Sequence, residues 1–183
     1  MGRGLLMNNQ IVEIAEIGNP VLREIAKPVE NVFDADTQNL FESMCEYLTS
    51  NESSIGVAAP QISQSLRSFA CHQPPHPKFP DREIVPLTVV INPVIVGASE
   101  NVVKGYERCI SVPGIRGFVP RHESITVQYL TRDNQVQTRE CSGLLARLFQ
   151  HEMDHLDGIV YLDRLETPRD IIREAEYIKL QTN

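Results

Sequence analysis

The feature that most constrains the fold of this chain is a predicted helix whose apolar face also carries metal-binding side chains. Leu144, Leu145, Leu148 and Phe149 have helical spacing, and the segment His151-Glu152-Met153-Asp154-His155 follows directly. Residues four positions apart share one face of a helix, so both histidines continue the stripe that should be buried. Burying two imidazoles and a carboxylate without partners is costly. The pattern therefore predicts a metal site on a central, buried helix.

The five-residue segment reads H-E-x-x-H, a pattern in which each named residue has a known chemical role. Two imidazoles one helical turn apart can bind the same metal ion, and the glutamate after the first histidine can stand beside it as a general base. The motif therefore indicates a hydrolase that uses a metal-activated water. A catalytic metal usually has three protein ligands, so one ligand must come from another part of the chain.

Several residues are candidates for the third ligand. One class of zinc proteases extends the motif to a third histidine, but that position is Tyr161 here, although the preceding Gly158 is in place. Another class uses a downstream glutamate, for which Glu174 is available. Upstream, Cys109 lies in a glycine- and proline-containing segment at residues 106–114. An upstream ligand fits better, because Glu174 lies among charged neighbours where a solvated glutamate is expected, but the glutamate ligand of a zinc endopeptidase stays open.

Composition limits the class of protein. The chain has 183 residues, of which 42% are hydrophobic, and its net charge is −7. These values are typical of one globular domain over residues 1–183, and the acidic balance argues against direct nucleic-acid binding. The sequence has no apolar run of membrane-spanning length, and we do not expect a secretory signal at its start. Four dispersed cysteines predict free thiols, so we expect a cytoplasmic, bacterial-type protein, with an organellar source left open.

The pattern along the chain predicts an α+β fold. Residues 1–7 are expected to be disordered or extended. Residues 35–49 have helical spacing with Asp34 or Asp36 as the N-cap, and Ser142 should cap the motif helix. A third helix is predicted to begin at Thr167-Pro168. Segments rich in β-branched residues predict antiparallel strands between the first two helices, at residues 68–71, 87–91, 124–130 and 136–138.

Three segments of the chain resemble peptide deformylase. That family has the motifs G-x-G-[LV]-A-A-P-Q, E-G-C-[LI]-S and Q-H-E-x-D-H. This chain has Ser54-Ile55-Gly56-Val57-Ala58-Ala59-Pro60-Gln61, then Glu107-Arg108-Cys109-Ile110-Ser111, then Gln150-His151-Glu152-Met153-Asp154-His155. The order and spacing agree, and Gly18–Leu22 and Ile91–Pro93 are also similar to the family. The resemblance covers almost the whole chain.

The resemblance implies antiparallel sheets around the motif helix, with an N-terminal and a C-terminal helix. It implies removal of the formyl group from N-formylmethionyl peptides, the nascent chains made by the ribosome. It also implies that Cys109, His151 and His155 bind one divalent metal. Fe²⁺ is expected, and Zn²⁺, Ni²⁺ or Co²⁺ can replace it. A thiolate with two imidazoles leaves one coordination position open for water.

The resemblance further implies roles for individual residues. Glu152 would take a proton from the attacking water and pass it to the leaving amine. The Gln61 side-chain amide and the Ile110 backbone N–H would stabilise the oxyanion. Gly56 would pair with the substrate backbone. The remaining implied residues are Arg116 beside the methionine side chain, and Glu107 with Arg121 orienting a metal ligand.

The chain departs from the family pattern at three positions. Ser54 replaces the first glycine of the first motif, and Arg108 replaces the glycine before the metal cysteine. Arg147 stands where a small or apolar residue is expected near the substrate side chain. We therefore expect Arg108 to be a substrate-binding residue. It also motivates the alternative of a non-catalytic protein or one with altered specificity.

Overall fold

The computed structural model describes residues 4–7, 10–51, 53–77, 80 and 83–182. Its α-helices are α1 (Ala35–Ser50), α2 (Gly143–Leu156) and α3 (Glu174–Thr182). Its strands are β1 (Gly4–Met7), β2 (Gln10–Glu13), β3 (Gly56–Ala58), β4 (Ser68–Gln73), β5 (Val85–Ala98), β6 (Val102–Cys109), β7 (Val112–His122), β8 (Ser124–Leu130), β9 (Val136–Ser142) and β10 (Ile171–Arg173). The predicted α+β class is confirmed.

The strands form antiparallel sheets on two sides of α2. One sheet has the order β3-β4-β5-β8-β9, a second has the order β10-β7-β6, and β1 pairs with β2 as a hairpin. Helix α2 contacts strands of both larger sheets. Its residues Leu145, Phe149 and Leu156 are buried in one core cluster with Phe69 of β4, whose ring meets Phe149 edge-on at 5.1 Å. The predicted central helix therefore lies at the centre of the fold.

Helix α1 forms as its sequence predicts. Asp34 is the N-cap, and its side chain accepts hydrogen bonds from the backbone N–H groups of Asp36 and Thr37. The apolar side chains Phe41 and Met44 are fully buried, as helical spacing requires of the inward face. They pack in a second core cluster that includes Val57 of β3. Helix α1 thereby supports β3 from the side opposite the motif helix.

Helix α2 ends at a left-handed glycine. Ser142 is its N-cap residue, although the serine side chain makes no capping hydrogen bond. Gly158 has φ +72°, and the N–H of Ile159 donates to the carbonyl of Asp154 at 2.9 Å. A residue with a β-carbon is strained in this conformation, and that carbon would also lie 2.8 Å from the carbonyl oxygen of Arg23. Gly158 therefore terminates the helix.

The predicted start of the third helix is wrong. Thr167 caps only a 3₁₀ turn at Pro168–Asp170, and the chain then forms strand β10 before α3 begins at Glu174. Ile171 and Ile172 pair with Gly117 and Arg116 of β7. Two β-branched residues beside an available strand edge favour sheet pairing over helix. Ile171 and Ile172 therefore belong to a strand and not to the predicted helix.

The cysteines Cys45, Cys71, Cys109 and Cys141 are buried free thiols, as the sequence predicts. Residues 1–3 of the predicted extended or disordered start lie outside the described residues, whereas residues 4–7 form β1. Within the described residues, none of the helices has the length and apolar composition that crossing a bilayer requires.

Candidate metal centre and active site

Three buried side chains converge at the centre of the fold. The possible ligand atoms of Cys109, His151 and His155 all lie within 4.8 Å of one another. The Cys109 Sγ is 3.2 Å from the Nε2 of His155. Helix α2 supplies both imidazoles, and the end of β6 supplies the thiol. One sulfur and two imidazole nitrogens fit a divalent transition metal and leave a fourth position free.

A buried carboxylate orients the first histidine. The Nδ1 of His151 lies 2.8 Å from Glu107, which leaves the Nε2 for the metal site. Arg121 donates two hydrogen bonds of 3.0 Å to Glu107 and a third of 2.5 Å to Asp154. Burial alone would raise the pKa of Glu107, but the hydrogen bonds from His151 and Arg121 outweigh it and hold that pKa far below its usual range. Glu107 is therefore a fixed negative charge beside the site.

The pKa values of the two imidazoles are shifted in opposite directions. Burial lowers the pKa of His155 well below its usual range, which keeps the ring in the neutral form that binds metals. Burial would also lower the pKa of His151, but hydrogen bonds with Cys109 and Glu107 outweigh it and raise that pKa well above its usual range. Binding of a metal ion to His151 therefore competes with protonation of this ring.

Glu152 lies beside this group under the edge of β3. Its carboxylate is buried, and Oε2 has no hydrogen-bond partner among the described residues. Burial is the main reason why the pKa of Glu152 rises to about 7. A β-carbon on Gly56 would overlap with Oε1 of Glu152 and lie 2.8 Å from Leu148. The absence of a side chain at Gly56 thus makes room for the carboxylate.

The amide of Gln61 is aimed at the same site. Its Oε1 accepts a 2.9 Å hydrogen bond from the backbone N–H of Ala58. The amino group is thereby turned toward Cys109 Sγ and Ser111 Oγ, at 3.2 Å each. Gln61 is almost fully buried in the 3₁₀ turn that follows β3. The arrangement presents a fixed N–H donor beside the metal ligands.

A cavity of about 760 Å³ opens onto these groups. One wall is formed by β3 and the residues before it, and the opposite wall by the turn between β6 and β7, which contains Ile110. Strand β3 pairs only with β4, so its other edge is unpaired among the described strands. An unpaired edge beside a cavity can accept an extended peptide as an additional strand.

Arg108 lines the cavity but does not enter the metal site. Along β6, Glu107 and Cys109 are buried, whereas Arg108 between them is exposed. The register of β6 with β7 shifts between Glu107 and Cys109, so Arg108 lies at an irregularity of the strand, exposed between two buried neighbours. Its guanidinium donates to the backbone carbonyl of Ser53 on the other wall. Ser54, the other departure from the family pattern nearby, is buried with its Oγ 3.4 Å from the Tyr47 hydroxyl.

Arg116 and Glu174 pair with each other at the cavity rim. The guanidinium donates to both carboxylate oxygens, at 2.5 and 2.7 Å, and lies 3.9 Å from the ring centroid of Tyr177. The hydrogen bond from Arg116 is the main cause that lowers the pKa of Glu174. The group of potential metal-binding side chains found among the described residues does not include Glu174. Nothing in this geometry favours the zinc-endopeptidase alternative.

Arg147 reaches the buried network that surrounds Glu107. Its guanidinium donates to Glu107 at 2.8 Å and to the backbone carbonyls of Val103 and Val119 at 2.6 and 2.8 Å. A β-carbon on Gly105 would lie only 3.0 Å from this guanidinium. From the sequence, we predict only that Arg147 is a large residue near the substrate side chain. Its position four residues before His151, on the same helix face, could have suggested this contact.

Sequence reasoning also missed a salt bridge next to the motif. Asp154, the fourth residue of the motif, accepts hydrogen bonds from Arg121 and, at 2.7 Å, from Arg164. This aspartate ties α2 to β7 and to the segment that follows the helix. The acidic residue inside the motif was a visible signal, but its partners are distant in sequence.

Comparison with known proteins agrees with this geometry. The family model described as polypeptide deformylase matches residues 11–170. Peptide deformylase 2 of Nostoc sp. is 43% identical over 176 residues, which are 96% of this chain and 98% of that protein. Peptide deformylase of Chlorobium luteolum is 42% identical over 157 residues, 85% of this chain and 79% of that protein.

Solved structures are similar as well. A Met-Ala-Ser-bound class I type b peptide deformylase from Acinetobacter baumannii superposes with a TM-score of 0.78 at 33% identity, covering 84% of this chain and 98% of that chain. Peptide deformylase from Thermotoga maritima gives a TM-score of 0.74 at 32% identity, with 85% and 98% covered. Because the family model matches most of its length, the chain belongs to the polypeptide deformylase family of metal-dependent hydrolases.

Proposed function

We propose that this protein removes the formyl group from the N-terminus of formylmethionyl peptides by hydrolysis. The observation that carries the proposal is the buried carboxylate of Glu152, which lies between the Cys109–His151–His155 group and the free edge of β3. In this proposal Glu152 is the general base, next to a metal-binding group and to a surface that can hold an extended peptide. Hydrolysis of an amide at the start of a peptide needs these three elements together.

The substrate is held by backbone and apolar contacts. The peptide extends the sheet along β3, where Gly56 lets its backbone come close to Glu152. The methionine side chain enters the part of the cavity bounded by the apolar side chains Leu144 and Leu148 of α2. Arg116 lies at the rim of that region, where its pairing with Glu174 fixes its position.

The chemical step divides among three groups. A divalent metal held by the cysteine and the two histidines supplies Lewis-acid activation of the attacking water. Glu152 accepts a proton from that water and later delivers it to the amine that leaves, for which a pKa near neutrality is suited. The side-chain N–H of Gln61 and the backbone N–H of Ile110 donate to the oxyanion that develops on the formyl oxygen.

The metal in the cell is proposed to be Fe²⁺, with Ni²⁺, Co²⁺ or Zn²⁺ able to take its place. The donor set supports a soft, divalent transition metal but is compatible with each of these ions. Glu107 and Arg121 hold His151 in the orientation that such an ion needs. Elemental analysis of protein purified without oxygen identifies the ion that the site carries.

The substrates in the cell are proposed to be nascent chains that leave the ribosome. This places the protein in a bacterial-type cytoplasm, where chains begin with formylmethionine. The acidic net charge of −7 gives no support for a separate contact with RNA.

The direct test is deformylation of formyl-Met-Ala-Ser, followed by detection of the free amine and of formate. Protein prepared without oxygen and loaded with Fe²⁺ or Ni²⁺ should release both products in equal amounts. Metal-loaded protein that releases neither product contradicts the proposal. In that case the variant Arg108→Gly tests whether the arginine beside the thiolate prevents turnover.

A further inference from the structure

The charges around the cavity are mostly paired. Arg147 and Glu107 form one pair at 2.8 Å, and Arg116 and Glu174 form another at 2.5 Å. Each of these pairs adds little net charge to the cavity. Arg108 also lines the cavity, and it differs from the other two arginines.

None of the ion pairs among the described residues includes Arg108, although its charge helps Arg116 to lower the pKa of Glu174. The guanidinium of Arg108 donates to the backbone carbonyl of Ser53, a neutral acceptor. The side chain is exposed, so the hydrogen bond to Ser53 competes with water and can be exchanged for another acceptor. An arginine retains its positive charge at every physiological pH. Arg108 therefore adds a positive charge to a wall of the cavity, which is also lined by Glu16 and Glu152.

The location of Arg108 relates it to the residues after methionine. The metal ligand Cys109 is next to it in the chain, while Ser53 and Gly56 lie on the opposite wall of the same cavity. A peptide extended along β3 from the metal site must pass between these walls. Each residue advances such a chain by about 3.3 Å, so the second and third residues are within roughly 10 Å of the first. A long side chain that starts beside the metal ligand can reach them.

We propose that Arg108 determines specificity by pairing with a carboxylate at the second or third residue of the formylated peptide. The inference rests on the proposed function and adds a preferred substrate class, formylmethionyl peptides that are acidic just after methionine. The guanidinium would leave the Ser53 carbonyl and donate two hydrogen bonds to the carboxylate. The arginine beside the thiolate is then a recognition group and not an obstacle.

The expected effect is modest because exposed ion pairs are weak. We expect kcat/KM for formyl-Met-Asp-Ser or formyl-Met-Ala-Asp to exceed that for formyl-Met-Ala-Ser by about twofold to fivefold at low salt. Lysine in the same positions should lower kcat/KM by a similar factor. High salt should reduce both differences, because screening weakens exposed pairs.

The test compares Arg108→Gln with Arg108→Lys on these peptides. The glutamine variant should lose the preference for acidic peptides and still hydrolyse formyl-Met-Ala-Ser, whereas the lysine variant should keep part of the preference. Arg169→Gln is the matched control, because Arg169 is exposed and outside the cavity, and this variant should behave as the unmodified protein.

Two results overturn the inference. One is an unmodified protein that hydrolyses acidic, neutral and basic peptides equally well. The other is an Arg108→Gln variant that changes kcat/KM by the same factor for every peptide, which indicates a steric or structural role. Failure of the proposed function is distinct, since it would abolish turnover of formyl-Met-Ala-Ser by the unmodified protein.

Discussion

Gly56 and the carboxylate of Glu152 occupy adjoining space, so that a β-carbon at residue 56 would overlap with Oε1 of the glutamate. The glycine is in β3 and the glutamate in α2, and their contact joins the edge of the five-stranded sheet to the motif helix. In the proposed function this relationship would link substrate binding to catalysis, because the strand proposed to accept the peptide also limits the position of the proposed base. A side chain added at residue 56 must therefore displace the carboxylate of Glu152.

The variant Gly56→Ala should lower kcat/KM by about 100-fold, because a displacement of the base by about 1 Å can have an effect of this size. Gly97→Ala is the matched control. Gly97 is also in a strand, but an added β-carbon there meets Thr126 at an ordinary distance of 3.5 Å. The control should keep full activity. Equal activity of the two variants would show that Gly56 does not position Glu152.

The variant Gln61→Ala should reduce kcat by about 10²- to 10³-fold, as expected for loss of one preorganised oxyanion donor. The bound metal should remain, because the ligands Cys109, His151 and His155 are unchanged. Rate measurements on metal-quantified protein separate the two effects, with the exposed Gln137→Ala as control. A variant that retains its kcat would remove Gln61 from the catalytic groups.

The pH dependence of kcat/KM should follow the ionisation of Glu152. Burial raises the pKa of this carboxyl to about 7, and the group must be ionised to accept a proton. Activity is therefore lost as the pH falls through this pKa. A bound divalent cation favours the carboxylate and shifts the midpoint downward, so we expect it at or below about 7. Initial rates must be paired with metal content at each pH, since acid also releases metals. A constant rate per bound metal over the acidic range would contradict the assignment.

The variant Arg121→Met should destabilise the fold and weaken metal binding. Arg121 is 5% exposed and donates to both Glu107 and Asp154, so its removal takes one cationic partner from each of two buried carboxylates. Glu107 keeps its pair with Arg147, and Asp154 keeps its pair with Arg164. Breaking such a buried pair costs about 3–5 kcal/mol of unfolding free energy. Loss of the group that holds Glu107 against His151 should lower metal affinity about 10- to 100-fold.

Denaturant unfolding and metal titration measure these two effects of Arg121→Met. Arg132→Met is the control, because the pair of Arg132 with Glu42 is largely exposed and should contribute at most about 1 kcal/mol. Equal losses of unfolding free energy in the two variants would show that the buried pairs of Arg121 stabilise the fold no more than the exposed pair of Arg132.

The central part of the fold was predictable because its signals are local. Asp34 precedes a helical apolar pattern and caps α1, and the β-branched segments became β4, β5, β8 and β9. The C-terminal segment was not predictable in the same way. Ile171 and Ile172 suit either a helix face or a strand, and only the neighbouring edge of β7 decides for the strand.

The site shows the same division between local and distant information. The spacing of His151 and His155 on one helix face is a local signal, and it predicted their shared position. The exposure of Arg108 could not be inferred, because it depends on the burial of Glu107 and Cys109 and on the register shift between them. The pairing of Arg116 with Glu174 joins residues 58 positions apart in the chain and depends on the docking of α3.

The most direct test of the account is the activity of Glu152→Gln measured together with its metal content. The substitution keeps the size of the side chain but removes the proton acceptor, and it leaves the cysteine and both histidines unchanged. The account predicts one bound metal per protein, as in the unmodified enzyme, and loss of formyl-Met-Ala-Ser hydrolysis by at least about 100-fold. A metal-loaded variant that still hydrolyses this peptide at the original rate would show that Glu152 is not the general base.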